Sequence, residues 1–176
     1  MKVALKIFLT LFVFLTSAFY TQDNQHIVKI NIDNPSEYLP EYLIDIYIGM
    51  PFNDFTNIKD TMFLQKVKSD SPEWFAFREE VNDNYIDHII YKFDATPDSI
   101  NNLLPLYQIN IFYTEEEELN RFVFKKFGDP LFENSDDLSA RWILKTNKNF
   151  VLIVKKENMK VKLIATIAGA EWDPND

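Results

Sequence analysis

His26 and His88 are the only imidazoles in this chain of 176 residues, and cysteine is absent. A serine triad or a zinc site would have to use one of them. Neither stands in a His-x-x-x-His or Gly-x-Ser-x-Gly setting. His88 alternates with Ile90 and Lys92, on the strand face opposite Ile89, Tyr91 and Phe93, which reads as a satisfied sheet histidine. His26 falls just after an N-terminal leader, in linker. The only glycines are Gly49, Gly128 and Gly169, so no Gly-rich loop can bring amides against a phosphate. These residues assign no catalytic group, no cofactor and no metal.

Glu115 to Glu118 could hold a hard cation, but consecutive helical residues point in different directions and the positive end of a helix already accounts for them. Asp83, Asp87, Asp94 and Asp98 flank one strand. The glycine that a calcium loop of the helix-loop-helix type requires is missing. A carboxylate-based hydrolase needs two acids about 5 to 9.5 Å apart in a cleft, which no spacing among 27 acidic residues reveals. Aromatic residues offer the other candidate site. Phe52, Phe55, Trp74, Phe75 and Phe77 crowd one region, as core or as a groove for a peptide or lipid.

Elements that would position these groups follow from periodicity. Thr114 and Glu117 have capping-box spacing, worth about 1 kcal/mol at the cap, ahead of Leu119, Phe122, Val123 and Phe127 on one helical face. Acids open this helix, Lys125 and Lys126 close it, and Gly128 with Pro130 ends it. A second helix is expected from Phe52, with Phe55, Ile58 and Met62 as its stripe. A third is expected over 72–81, where Ser71-Pro72 would start it and Trp74, Phe77 and Val81 recur at helical spacing.

Alternation predicts strands at Val28, Ile30 and Ile32; at Ile44, Ile46 and Ile48; at Ile89, Tyr91 and Phe93; and at Tyr107, Ile109, Ile111 and Tyr113. Apolar runs over 141–144, 150–154 and 161–167, joined by short polar turns, predict an antiparallel meander. The expected fold is α+β, a mostly antiparallel sheet with two or three helices packed on one face. An echo of strand, helix and strands leaves an internal duplication open.

The first eighteen residues set the address. Lys2 and Lys6 precede an apolar run from Ile7 to Leu15 and the small residues Thr16, Ser17 and Ala18, the order of a secretory signal peptide cut between 18 and 24. The run is too short for a spanning helix, which needs roughly 20 apolar residues. The remainder divides into one globular domain over 25–168 and an acidic tail over 169–176. Roughly 155 residues can bury a core without disulfides, and an aromatic content of 15% makes that core ring-rich. A net charge of −9, more negative once Lys2 and Lys6 leave, repels phosphate backbones and anionic lipid. Composition points to a bacterium, and export to its periplasm or the extracellular medium.

Two segments, Ile46-Tyr47-Ile48-Gly49-Met50-Pro51-Phe52-Asn53-Asp54-Phe55 and Lys125-Lys126-Phe127-Gly128-Asp129-Pro130 followed by Trp142, resemble small exported modules of the SmpA/OmlA and β-lactamase-inhibitor-protein type. The resemblance implies an α+β module whose curved sheet binds another protein. The lipid-bearing cysteine of the lipoprotein members is missing, so membrane tethering is not implied. The matching positions Gly49 and Gly128 serve turns and carry over no binding residue. The expected function is a non-catalytic protein-interaction module with another envelope or secreted protein as partner. It engages no nucleic acid and inserts in no membrane after cleavage. A binding protein for a small hydrophobic ligand is the alternative, and a hydrolase the third reading.

Overall fold

The computed structural model describes residues 28–96, 103–134, 139–148 and 150–167, so the leader, His26, Asp98 and the acidic tail lie outside the described residues. Nine strands form one mixed sheet: β1 (Val28–Ile30), β2 (Gln65–Val67), β3 (Trp74–Glu80), β4 (Ile86–Asp94), β5 (Leu106–Tyr113), β6 (Phe132–Asn134), β7 (Ser139–Thr146), β8 (Phe150–Glu157) and β9 (Lys160–Ile167). Two α-helices are described, α1 (Phe52–Ile58) and α2 (Glu116–Phe127). The strand order is β1-β7-β8-β9-β5-β4-β3-β2, with β6 also on β7. Every pairing is antiparallel except that of β1 with β7. The fold is α+β and dominated by sheet, with less helix than the sequence suggested.

Order along the chain and order across the sheet are related. A helix followed by four antiparallel strands occurs twice, as α1-β2-β3-β4-β5 and as α2-β6-β7-β8-β9. The last strands of the two runs, β5 and β9, pair at the middle of the sheet. Phe55 of α1 and Leu119, Val123 and Phe127 of α2 join the same core as Ile89, Tyr91, Ile109, Leu163, Val154 and Trp142. Burying this apolar surface at about 25 cal/mol per Å² drives the assembly.

Four expectations are corrected. The expected helix over 72–81 is instead a turn followed by strand β3, because Phe75 and Phe77 stand directly opposite Phe93 and Tyr91; such cross-strand aromatic pairs outweigh a helical spacing of Trp74, Phe77 and Val81. The Ser71 hydroxyl accepts from Glu73 N–H at 3.2 Å, closing a bend before the strand. The segment 44–48 is irregular. A 3-10 turn at Glu41–Leu43 precedes it, and the Tyr38 hydroxyl takes the Ile48 N–H at 3.2 Å while donating to the Ile32 carbonyl at 3.0 Å. Ile46 and Ile48 are still buried, whereas Ile44 is exposed.

The capping box does not form. Glu115 is the N-cap of α2 and makes no side-chain cap bond. The Thr114 hydroxyl donates to the Asn84 carbonyl at 3.2 Å, and Glu117 pairs with Arg121. Helix α1 is also shorter than its expected stripe. It ends at Ile58, and the Asp60 side chain caps a separate 3-10 turn at Thr61–Phe63 that leaves Met62 86% exposed.

Candidate interaction surface

Alternation along the strands separates two faces. One carries the core and both helices. The residues of the other can be read across the sheet from the register, and in its middle Ala76, Gln108, Asn110 and Ile164 are buried. One row runs Arg78, Ile90, Asn110, Lys162, Lys155 and Arg141 from β3 to β7. The neighbouring row runs Ala76, Lys92, Gln108, Ile164, Ile153 and Ile143. Two residues of strand separate the rows, about 7 Å. An acidic protein thus sets three cations side by side across β9, β8 and β7, next to three isoleucines.

Polar residues build the middle of this face. Gln108 and Asn110 are buried, and the Gln108 amide donates to Asn110 Oδ1 at 2.7 Å. Alternation in β5 did predict its core side; the facing pair Gln108 and Asn110 was the overlooked signal. On the adjoining row His88 is stacked on Phe112 at 4.0 Å between ring centres, and its Nδ1 lies 2.6 Å from Asp87 Oδ2. Asp87 is the extra residue of a β-bulge opposite β5, which accounts for its reach back to its neighbour. Lys160 stands over the Phe112 ring at 5.9 Å and pairs with Glu157 at 2.7 Å.

Glu157 gauges the local field. Burial pushes its carboxyl upward, yet the hydrogen bond from Lys160 and the charges of Lys160, Lys162 and Lys155 hold it below the usual carboxylate range. Next to this row, Arg141 and Lys155 line a hollow of about 350 Å³ beside β6. The Arg141 Nε is buried with no hydrogen-bond partner among the described residues.

The five aromatics singled out by sequence divide between the faces. Phe52 contacts Phe75 at 5.1 Å, Phe77 at 5.8 Å and Phe93 at 5.1 Å, and Phe55 contacts Phe93 at 4.9 Å. Phe55 is fully buried, while Phe52, Phe75 and Phe77 are partly buried against the core. Trp74 faces the other way, with the Lys92 ammonium 4.3 Å above its ring. A groove of about 810 Å³ lies elsewhere, where Leu39, Ile44, Tyr85, Tyr113 and Phe122 form an apolar floor below Asp83, Glu118 and Arg121. None of the five aromatics lines it. Burial, with Asp83 and Glu118 adding to it, pushes the Tyr113 phenol well above its ordinary pKa.

Among the described residues no three His, Asp or Glu side chains gather in a metal-binding group, and no helix is long and apolar enough to cross a membrane. Compared with protein families, curated proteins and solved structures, the chain matches none.

Proposed function

We propose that this chain is an exported, non-catalytic module that binds another protein through the sheet face opposite its two helices. The carrying observation is the one-sided arrangement itself. Both described helices and the loop segment through Leu39, Leu43 and Ile46 bury against one face, while the other presents Ile143, Ile153, Trp74 and Phe112 among cations. Mixed apolar, aromatic and Arg-bearing patches are the composition of interface cores. The leader, Lys2 and Lys6 before Ile7 to Leu15, supports export to the periplasm or medium. The repeated helix and four strands support an internal duplication, and with it the resemblance to the SmpA/OmlA and β-lactamase-inhibitor-protein modules, whose sheets bind proteins.

A photo-crosslinking residue placed at Ile143 in the full chain tests the reading in the exporting cells, with Glu117 on the outer side of α2 as the control position. A discrete protein adduct from Ile143 and none from Glu117 is expected. Adducts from Glu117 alone, or from neither, overturn the proposal. Amino-terminal sequencing of the exported protein is expected to start between residues 19 and 24, and an intact Met1 overturns export with cleavage.

The groove favours a second reading, a small apolar ligand, because its volume falls within the roughly 300 to 1,000 Å³ of small-molecule sites. An apolar fluorescent dye that binds wild type and not Phe122→Asp would support that reading. Equal binding by both would dismiss it.

A further inference from the structure

We infer that the groove along α2 receives a short free peptide of apolar residues, with its amino terminus at Asp83 and its carboxylate at Lys125 and Lys126. This rests on the small-ligand reading of the groove and names the ligand's chemistry. Glu118, Arg121, Phe122, Lys125 and Lys126 are the residues of α2 that line it. Counted from Glu118 they fall at steps of three, four, seven and eight, which is one stripe of a helix. The groove therefore runs along α2, and at 1.5 Å per residue its ends at Glu118 and Lys125 lie about 10 Å apart. Extended chain rises about 3.3 Å per residue, so about three residues span that length.

The two ends differ in charge. Asp83 and Glu118 both add to the burial that raises the Tyr113 phenol, which places the two carboxylates at the same end. Glu118 is engaged by Arg121 at 2.5 Å, and that guanidinium also reaches Glu117 at 3.2 Å. Asp83 is fixed through one oxygen, its Oδ1 accepting from the Tyr85 N–H at 2.7 Å and the Ile86 N–H at 3.2 Å, and it forms no ion pair among the described residues. At the far end Lys126 donates to the Ser36 carbonyl, and Lys125 is exposed beside it. Between the ends the floor is apolar. A fatty acid would satisfy only the lysines and lay its tail against Asp83, and an organic amine would do the reverse. Drawing a charged group out of water without a partner is costly. A zwitterion with an apolar body about 10 Å long is matched at both ends, and an extended apolar tripeptide has that length and those termini.

The test is titration calorimetry on the exported full chain with tri-leucine as the probe, beside its amino-acetylated form, its carboxy-amidated form and decanoate. Tri-leucine is expected to bind, and either cap to weaken binding by about tenfold, since each removes a hydrogen bond to a charged group. Asp83→Asn keeps an acceptor for the Tyr85 and Ile86 amides. In that variant acetylation is expected to make no difference, while amidation still weakens binding. Lys125→Gln/Lys126→Gln is expected to show the reverse, and Lys145→Gln, an exposed lysine of β7, to behave as wild type. Caps without effect on wild type, end preferences that survive in the variants, or decanoate binding more tightly than tri-leucine overturns the inference. A circular-dichroism spectrum matching wild type is required of each variant, with Lys125→Gln alone as the fallback should the double variant unfold. The apolar dye separates the two proposals. If it binds wild type and not Phe122→Asp while tri-leucine is indifferent to its caps or does not bind, the groove takes apolar ligands without reading their ends, and only this inference falls. If neither dye nor tri-leucine binds, both fall.

Discussion

The indole N–H of Trp142 donates to the carbonyl of Gly128 at 2.9 Å, tying the middle of β7 to the residue that ends α2. Trp142 is nearly fully buried between the rings of Phe124 and Phe127, so the bond lies in a water-poor layer. Trp142→Phe keeps most of the packing and leaves that carbonyl without its donor. A loss of about 1 to 3 kcal/mol is expected in urea unfolding. Trp142→Ala should cost about 3 to 5 kcal/mol by adding a cavity.

Gly128 makes a separate demand. Its φ is 69° and its ψ −150°, a region that side-chain-bearing residues rarely enter. A methyl group added at its α-carbon would meet nothing within 4 Å, so any penalty comes from backbone conformation alone. Gly128→Ala is expected to lower the unfolding midpoint, by the equivalent of about 1 to 3 kcal/mol. An unchanged midpoint would mean that α2 ends in another geometry.

Tyr38 acts as a latch between β1's continuation and the segment leading to α1, donating to Ile32 and accepting from Ile48 with its ring fully buried. Tyr38→Phe should therefore destabilise by about 1 to 3 kcal/mol, since two buried backbone groups lose their partner. Hydrogen exchange at the Ile48 amide is expected to accelerate most. Thr114→Ala, by contrast, is expected to stay within about 0.5 kcal/mol of wild type, because its exposed hydroxyl bonds the Asn84 carbonyl and does not cap the helix.

Alkaline pH gives a further test. Burial raises the phenol pKa values of Tyr38, Tyr91 and Tyr113, and the Glu79 carboxylate adds to the effect at Tyr91. In the unfolded chain these groups ionise near pH 10. Stability carried by the neutral buried phenols is thus complete below about pH 10 and is lost as pH rises through the folded values. Tyrosinate absorbance from these residues is expected to appear together with unfolding, and Tyr113→Phe to flatten the alkaline limb of the stability curve.

Strands with a single clean alternation were legible from the residues alone: β4 through Ile89, Tyr91 and Phe93, and the meander of β7, β8 and β9 through its short polar turns. Helix α2 was legible as well, because its apolar stripe, acidic start, basic end and Gly128 agree. What failed were places where distant partners decide. Phe75 and Phe77 fit a helix as well as a strand until β4 supplies their cross-strand rings. Ile46 and Ile48 are buried by a loop that Tyr38 fixes from ten residues away. The row of Arg141, Lys155 and Lys162 was not legible because these are ordinary polar positions on three separate strands, and only the register makes them neighbours.

The sheet's outer limits bear on how anything can attach to it. At one end the last strand, β2, spans three residues; at the other, β1 and β6, each also three residues long, share the flank of β7. Tripeptide margins give an incoming chain too few unpaired amides and carbonyls to extend the ladder. Self-templated growth into fibres has little purchase at either margin, and visitors are steered onto the broad surface instead of the rim.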